Sequence, residues 1–231
     1  MSDAQLIYSG LDVLEALNGA ANYNSLLLDL IIQSAGDCHR MLDFGAGIGT
    51  FSKALRTRGV EVICVESDPY LANALARDGF QTFRHLSQVQ DGSFEFIFAL
   101  NVLEHIEDDL ATTQRLAAKL KKHGRLLVYV PAFQCLWTSL DDKLKHYRRY
   151  RRVDLTGLVR STGLSVSKSC YADSLGFFAA WGFKILGNKS GDLSAGAVSL
   201  YDGYIVPLSR RLDSVLARWI GKNVYVVASK T

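Results

Sequence analysis

Short apolar runs alternate with amphipathic stretches along most of this chain. The runs that predict strands are Arg40–Phe44, Val60–Glu66, Phe94–Leu100, Arg125–Pro131, Leu164–Ser169 and Val224–Ser229. The stretches between them that have helical periodicity are Thr50–Arg58, Pro69–Asp78, Asp108–Lys121 and Val153–Ser161. Parallel neighbouring strands need a crossover, which is normally a helix, so this alternation predicts a doubly wound α/β sheet. The strands are apolar throughout, as expected when helices cover both faces.

Two segments lie outside this alternation. Before the first strand, Tyr8–Ser34 has a helical pattern and is expected to lie over the sheet edge or the mouth of a ligand site. Between the last two strands, residues 172–222 are long for a connection, and long insertions are commonly functional. They contain an apolar aromatic stretch (Leu175–Leu186), a glycine- and serine-rich passage (Lys189–Ser199) and a basic amphipathic helix (Pro207–Trp219).

The composition fits an ordinary soluble α/β domain. Of the 231 residues, 48% are hydrophobic and 21% are charged, which is ample for one core. The net charge is +3, from 26 Lys and Arg against 23 Asp and Glu. So small a charge argues against a dedicated nucleic-acid binder.

Targeting and metal patterns are also missing from the sequence. The most apolar segment, Ser174–Phe183, is far shorter than the roughly 20 residues that span a bilayer, and the first residues have no signal-peptide pattern. We therefore expect a cytoplasmic protein without a transmembrane helix. The cysteines have no metal-binding spacing, so we expect reduced thiols and no metal; they are Cys38, Cys64, Cys135 and Cys170.

A glycine-rich turn follows the first predicted strand, within Met41–Phe51. Glycines at 45, 47 and 49 let the backbone turn tightly and approach a ligand. The next strand ends in Glu66, where nucleoside-binding α/β folds place an acid that accepts hydrogen bonds from the ribose hydroxyls. Thr50 stands where the dinucleotide fingerprint needs glycine or alanine, which disfavours a nicotinamide cofactor. Together these features predict a nucleoside cofactor.

Three segments resemble the successive motifs of class I S-adenosylmethionine-dependent methyltransferases. They are the run Leu42–Gly49, Glu66 at the end of the second strand, and Phe94–Ile106 with its Leu-Glu-His-Ile ending. The resemblance extends roughly from Tyr23 to Pro131. It implies a Rossmann-like, doubly wound, mostly parallel seven-stranded sheet flanked by helices, with an insertion before the last strand. It also implies S-adenosylmethionine as the methyl donor and S-adenosylhomocysteine as the product.

On this basis we expect a single domain over residues 1–231. Residues 1–38 would form an N-terminal helical cap and 39–171 the cofactor-binding core. Residues 172–222 would be an insertion on the acceptor side, and 223–231 the final strand.

The resemblance also implies a set of cofactor-binding residues. Asp43 and Gly45 would lie near the methionine part and its amino group, Gly47 beside the nucleoside, and Glu66 on the ribose. Tyr23 resembles an N-terminal tyrosine that reaches the cofactor carboxylate in related enzymes. The complete set is Tyr23, Asp43, Gly45, Ala46, Gly47, Glu66, Ser67, Leu86, Ser87, Asn101 and Val102.

The adenine end departs from the pattern of the family. Leu86 and Ser87, after the third strand, would sit by the adenine, where many members carry Asp or Asn to bond its amino group. Asn101 and Val102 would close over the methionyl side.

Methyl transfer is an in-line displacement at a sulfonium, so positioning the two reactants supplies much of the rate. A base is needed only when the nucleophile must lose a proton. His105 follows the fourth strand at the carboxyl end of the sheet, where open α/β folds bind ligands. A neutral imidazole there would serve as general base, or it would only orient the loop.

The segment Asp141–Tyr150 resembles the Asp and His-x-Arg-Arg-Tyr pattern that lies on the acceptor side in a subset of these enzymes. His146 is a second candidate base, and Arg148 and Arg149 are candidates for a bidentate clamp on a carboxylate or phosphate. Tyr150 is a candidate hydrogen-bond donor, and Trp137 a further substrate-side residue. The alternatives are a solvated basic loop and, less favoured, a surface that stacks nucleic-acid bases.

The insertion carries an unusual number of aromatic side chains. Their possible roles are core packing, a pocket for an apolar acceptor, a dimer contact and a membrane-facing surface. These residues are Phe177, Phe178, Trp181, Phe183, Tyr201, Tyr204 and Trp219.

The function that the sequence favours is methyl transfer from S-adenosylmethionine to a small-molecule or lipid-like acceptor. The alternatives are a non-catalytic cofactor-binding regulatory subunit, an RNA methyltransferase and, least favoured, an NAD-dependent oxidoreductase. We expect no nucleic-acid partner, allow peripheral membrane contact, and leave open whether the protein is a monomer or a homodimer.

Overall fold

A computed structural model describes residues 18–186 and 195–231. The described residues form one seven-stranded sheet in the order β3-β2-β1-β4-β5-β7-β6. Strand β7 is antiparallel to both of its neighbours, and the other pairs are parallel. The strands are β1 Arg40–Phe44, β2 Glu61–Val65, β3 Gln81–Phe83, β4 Phe94–Leu100, β5 Leu120–Pro131, β6 Ser165–Ala172 and β7 Asn223–Ser229. The predicted fold class is confirmed.

Helices cover both faces of the sheet. They are α1 Ala21–Ala35, α2 Thr50–Arg56, α3 Pro69–Arg77, α4 Asp109–Lys119, α5 Ser139–Lys143, α6 Arg152–Arg160, α7 Ser174–Leu186, α8 Ala195–Leu200 and α9 Val206–Leu216, with a π-helical turn at Tyr201–Ile205 between the last two. Helix α3 begins where the sequence predicts, because the Asp68 carboxylate accepts the N–H groups of Tyr70 and Leu71 while Pro69 fills the first turn.

Alternation along each strand divides the core into two layers. On one face, Leu42 and Ile97 pack with side chains of α4 and α6. On the other, Met41 and Phe96 pack with side chains of α1, α2, α3 and α9. Because both faces are covered, the central strands β1 and β4 are mainly apolar on both sides, as the sequence pattern indicates, whereas the edge strand β6 has exposed polar residues.

The boundaries differ from the predictions where the backbone is irregular. The strand predicted from Arg125 starts at Leu120, because β5 has three more residues than β4 between the pairs Phe94–Leu120 and Phe96–Arg125 and bulges there. The preceding helix accordingly ends at Lys119. The edge strand β3 has three residues, too few to show a period of two.

The two segments outside the core alternation are described in part. Helix α1 occupies the second half of the predicted Tyr8–Ser34 helix, and residues 8–17 lie outside the described part of the chain. The passage Lys189–Ser199 is described only from residue 195, where α8 begins. Among the described residues, every helix is too short or too polar to cross a membrane.

The sheet has its topological switch between β1 and β4. The chain leaves these adjacent strands toward opposite edges of the sheet, and a crevice opens beyond their carboxyl ends. Left-handed backbone conformations gather there, at Gly45 (φ 80°), Gly47 (φ 56°) and Asn101 (φ 54°). The fold therefore places the glycine-rich turn and the end of β4 next to each other at one crevice.

Candidate active site

A cavity of about 1190 Å³ fills this crevice. Its walls come from the carboxyl ends of β1, β2 and β4, from α1, and from α7 and α8 of the insertion. All the predicted cofactor-binding residues line it, and so do His105, His146 and Arg149. Trp137, Arg148 and Tyr150 are not among its lining residues. Ligand pockets are usually about 300–1,000 Å³, so the cavity is somewhat larger than a typical pocket for one small molecule.

The glycine-rich turn leaves no space for a side chain at its first glycine. The N–H groups of Gly45 and Ala46 both donate to the carbonyl of Val65, at 2.8 and 3.2 Å, which fixes the turn to β2. A Cβ at Gly45 would lie 2.4 Å from Cγ2 of Val102, a residue that follows β4. The turn and the end of β4 are therefore in contact through a glycine.

Glu66 holds the same turn from the other side. Its carboxylate is buried and accepts the N–H of Gly47 at Oε2 and the N–H of Asp68 at Oε1, each at 2.8 Å. Burial raises the pKa of Glu66, and these backbone hydrogen bonds oppose that rise. Each oxygen of a carboxylate has about two lone-pair sites. Glu66 thus keeps one acceptor site per oxygen, as two ribose hydroxyls would require.

Asp43 is a second buried acid at the turn. It accepts a hydrogen bond of 2.7 Å from the hydroxyl of Ser52. Burial raises the pKa of Asp43 to about 7, and the nearby Glu66 adds to the rise. A buried carboxylate with a single donor is suited to receive a cationic group such as an amine.

Helix α1 and the insertion are fastened together over the cavity. Asp202, in the π-helical turn, accepts the backbone N–H groups of Asn22 and Tyr23 at 3.1 and 2.8 Å, and so caps the start of α1. The Tyr23 hydroxyl lies 3.3 Å from that of Tyr129. The ammonium of Lys222 lies 5.0 Å from the centre of the Tyr23 ring and also lines the cavity.

Glu104, His105 and His146 form a polar cluster that lines the cavity. One ligand atom of each lies within 4.8 Å of those of the others, and the two imidazole rings are 4.5 Å apart in a T-shaped arrangement. Burial lowers the pKa of His105 to about 4 and raises that of Glu104 to about 8. His105 is therefore a neutral imidazole and a weak base at neutral pH.

Asp141 organises the segment that carries His146. It accepts a hydrogen bond from Nδ1 of His146 at 2.8 Å and two from the guanidinium of Arg149 at 2.8 and 2.9 Å. Burial alone would raise the pKa of Asp141, but the hydrogen bonds from His146 and Arg149 hold it far below its usual range. The bidentate geometry predicted for Arg149 is thus made with a carboxylate of the protein.

Other predicted acceptor-side residues point elsewhere. The guanidinium of Arg148 pairs with Asp109 at 2.9 Å, and the buried Tyr150 hydroxyl donates to the same carboxylate at 2.8 Å. The indole N–H of Trp137 donates to Asp142 at 2.9 Å. These contacts fix the loop after β5 to α4 and to itself, and the substrate-binding role of the three residues stays a prediction.

The aromatic residues of the insertion divide between three environments. Phe183 and Tyr201 line the cavity, and Phe177 packs edge-on against Phe133, 5.4 Å away. The side chains of Phe178, Trp181, Tyr204 and Trp219 are more than half exposed. Core packing, one of the four roles considered for this group, is therefore not the role of these four residues.

Three residues of the site did not stand out in the sequence. Glu104 lies inside the Leu-Glu-His-Ile run, where its neighbour His105 draws attention. Lys222 and Asp202 lie in the irregular insertion, with no motif around them. The place of Glu104 beside His105, just after a predicted strand, was a detectable signal, whereas the roles of the other two depend on distant contacts.

A family model described as "Methyltransferase domain" matches residues 16–169. A curated relative, a ubiquinone biosynthesis O-methyltransferase of Xanthomonas oryzae pv. oryzae, is 31% identical over 126 residues, which are 50% of each chain. This chain thus spans about half the length of the curated relatives it matches.

Solved structures share the fold at low sequence identity. A SAM-dependent methyltransferase from Archaeoglobus fulgidus aligns with a TM-score of 0.60 and 16% identity, over 90% of this chain and 94% of its own. The cyclase SpnF aligns with a TM-score of 0.64 and 15% identity, over 96% and 94%. Because a cyclase and a methyltransferase share this fold, the reaction has to be inferred from the residues of the site and not from the fold.

Proposed function

The chain belongs to the methyltransferase domain family, and from this premise we propose that it transfers the methyl group of S-adenosylmethionine to an apolar, lipid-like small molecule. The observation that carries the proposal is one continuous cavity, whose glycine-turn half continues into an apolar half lined by the loop after β5, by α5 and by the insertion. When bound, the cofactor supplies an electrophilic methyl group on a sulfonium. The residues of the chain orient the donor and the acceptor for in-line displacement.

The glycine-turn half fits the donor chemically. Glu66 offers two free acceptor sites for ribose hydroxyls, and Asp43 offers a carboxylate for an ammonium group. We assign the carboxylate of the cofactor to Lys222 and Tyr23, the cation and the hydroxyl on the α1 side. Leu86 and Ser87 provide an apolar and a hydroxyl contact for the adenine, and Asn101 and Val102 cover the methionyl chain.

The other half is lined mainly by apolar side chains. They come from the loop after β5 and from helices α5, α7 and α8, and include Leu136, Leu140, Leu144, Ala180, Phe183 and Val198. Such walls bury an apolar acceptor and exclude water from the transfer. The polar cluster of Glu104, His105 and His146 lies between the two halves and is where an acceptor heteroatom would lose its proton.

Surface features next to the cavity favour a lipid-like acceptor. Phe178, Trp181 and Ile185 form one exposed stripe along α7, and Leu208, Leu212, Val215 and Trp219 continue another along α9 and just beyond it. The exposed Leu200 also lines the cavity and so marks its mouth. Arg211 and Arg218 are exposed beside the α9 stripe. Apolar stripes with a basic rim suit a membrane surface that carries an apolar acceptor. The curated relative's name, which refers to ubiquinone biosynthesis, agrees with an apolar acceptor.

The first test separates the donor from the alternatives. Calorimetric titrations with S-adenosylmethionine, S-adenosylhomocysteine and NAD are expected to show micromolar binding of the first two and none of the third. Binding of NAD alone would replace the proposal with an oxidoreductase.

The second test concerns the acceptor. The protein is incubated with methyl-labelled S-adenosylmethionine and, separately, a total lipid extract, an aqueous metabolite extract or total RNA. Label in the lipid extract supports the proposal, and label only in the aqueous fraction or the RNA overturns it. Ala180→Trp fills the apolar half and should lower transfer at least about tenfold without changing affinity for S-adenosylhomocysteine, whereas Ala76→Trp, on the exposed side of α3, is the matched control.

A further inference from the structure

Glu104 is a buried acid without a hydrogen-bond partner. Its exposed fraction is 1%, and in the described part of the chain neither carboxylate oxygen meets a donor. Both oxygens belong to a side chain that lines the cavity. A buried polar group left unpaired costs about 1–3 kcal/mol, and more if charged. Such a group therefore calls for a ligand that the protein itself does not provide.

The imidazoles of His105 and His146 lie near this carboxylate, and one nitrogen of each ring already makes a hydrogen bond to another group. Nδ1 of His105 lies 3.0 Å from the carbonyl of Leu144, an acceptor, so Nδ1 carries the proton. Nδ1 of His146 lies 2.8 Å from Asp141, a carboxylate that Arg149 and the Thr138 N–H also hold. Each ring thus leaves Nε2 as a free lone pair. Metal-bound histidines almost always have this arrangement, with the other nitrogen donating to a carbonyl or carboxylate.

We propose that Glu104, His105 and His146 bind one divalent transition-metal ion, with the remaining coordination positions open to the cavity. Two imidazoles and one carboxylate form a donor set that suits zinc and other first-row divalent ions better than magnesium or calcium, which prefer oxygen ligands alone. Three protein ligands with an open position are typical of a catalytic rather than a structural zinc site.

The spacing is close to what a metal needs. Ligand distances of about 2.0–2.2 Å in a tetrahedral site place the ligand atoms about 3.4 Å apart. In the structure one candidate ligand atom of each residue lies within 4.8 Å of those of the other two, so bringing these atoms to coordination distance takes a shift of at most about 1.5 Å. Among residues 18–186 and 195–231, no hydrogen bond holds the Glu104 carboxylate against this shift.

The metal would give the cluster a chemical role, and this step rests on the proposed function. A hydroxyl of the acceptor that binds the open position loses its proton more easily, because a bound cation stabilises the oxyanion. The proton passes to solvent, the oxygen attacks the methyl carbon, and the carbon–sulfur bond breaks to leave S-adenosylhomocysteine. In this scheme His105 and His146 are ligands and not general bases.

The test measures metal binding directly, without turnover. Tag-free protein is stripped with a chelator and titrated by calorimetry with Zn²⁺, and separately with Mg²⁺. We expect one equivalent of Zn²⁺ with micromolar or tighter affinity and no comparable Mg²⁺ binding. Substitution with Co²⁺ should give visible absorption bands that report the coordination number.

Variants locate the site. Glu104→Gln and His146→Gln should each weaken Zn²⁺ binding at least about tenfold, and His123→Asn, at an exposed histidine near the start of β5, should not. Circular dichroism spectra show whether each variant folds. The proposal is overturned if the stripped wild-type protein binds no stoichiometric Zn²⁺, or if folded Glu104 and His146 variants bind it as tightly as the wild type. If the protein binds Zn²⁺ but transfers no methyl group, the metal-site proposal stands and the proposed function is refuted.

Discussion

Replacement of Glu66 by glutamine tests the donor half most directly. The wild-type carboxylate accepts two backbone N–H groups, from Gly47 and Asp68, and keeps one acceptor site on each oxygen. Glutamine has a single acceptor oxygen and an NH₂ group that can only donate. Its NH₂ group must therefore face either a backbone N–H or a ribose hydroxyl that needs an acceptor.

The expected loss follows from the number of bonds affected. A hydrogen bond to a charged group contributes about 1.5–3 kcal/mol. Glu66→Gln removes the charge from both ribose contacts and one acceptor outright, so we expect the affinity for S-adenosylhomocysteine to fall by about 2–4 kcal/mol, or roughly 30- to 900-fold. The substitution also weakens the hydrogen bond that the Gly47 N–H donates to this side chain, because its acceptor is no longer charged. The free energy of unfolding should therefore fall by about 1 kcal/mol.

Calorimetric titration of S-adenosylhomocysteine measures the affinity, and urea unfolding of the free protein measures the stability. Glu61→Gln, on the exposed start of the same strand, is the control and should change neither by more than a few tenths of a kcal/mol. If folded Glu66→Gln binds as the wild type does, Glu66 does not hold the ribose. If only stability falls, Glu66 acts on the glycine-rich turn alone.

Three further predictions concern other parts of the molecule. The pKa of Asp43 in the folded protein is raised to about 7, so its burial opposes folding increasingly as pH rises from about 4 to 7. In urea unfolding, the stability of Asp43→Asn relative to the wild type should therefore be about 3 kcal/mol greater at about pH 8 than at about pH 5. A stability difference that does not change with pH would refute the raised pKa. Gly45→Ala should destabilise the protein more than Gly59→Ala, because both glycines have positive φ but only a side chain at Gly45 would clash with Val102. Adding Val102→Ala to Gly45→Ala should restore the lost unfolding temperature. If it does not, the destabilisation has another cause than this clash. Trp219→Asp should weaken cosedimentation with anionic lipid vesicles about tenfold without lowering the unfolding temperature, and unchanged cosedimentation would exclude the α9 stripe as the membrane contact.

The donor half could be predicted from the sequence because its determinants are local. The glycine-rich turn, Glu66 and the end of β4 each follow a strand that the apolar pattern identifies, and parallel strands bring their carboxyl ends to one edge. Asp43, Gly45 and Glu66 accordingly line one cavity. Their roles toward the cofactor stay predictions until binding is measured.

The acceptor half could be predicted only in part, because its determinants are contacts between distant segments. Sequence spacing does not show that Arg148 and Tyr150 turn to Asp109 on α4 while Arg149 turns to Asp141. All three look like ligands in a basic, aromatic run. Which of them faces the cavity depends on how the loop after β5 crosses α4, and no periodic pattern encodes that crossing.

Contacts between segments that are far apart in sequence also connect the donor half of the cavity to the acceptor half. Asp202 belongs to the insertion, yet it caps helix α1, which carries Tyr23, and the hydrogen bonds span about 180 residues of sequence. The insertion also supplies Lys222 near Tyr23 and Phe183 on the apolar wall. A shift of the insertion on acceptor entry would therefore move the groups assigned to the cofactor carboxylate. Asp202→Asn weakens only this link, and a loss of affinity for S-adenosylhomocysteine in that variant would show that the insertion shapes the donor half as well as the acceptor half.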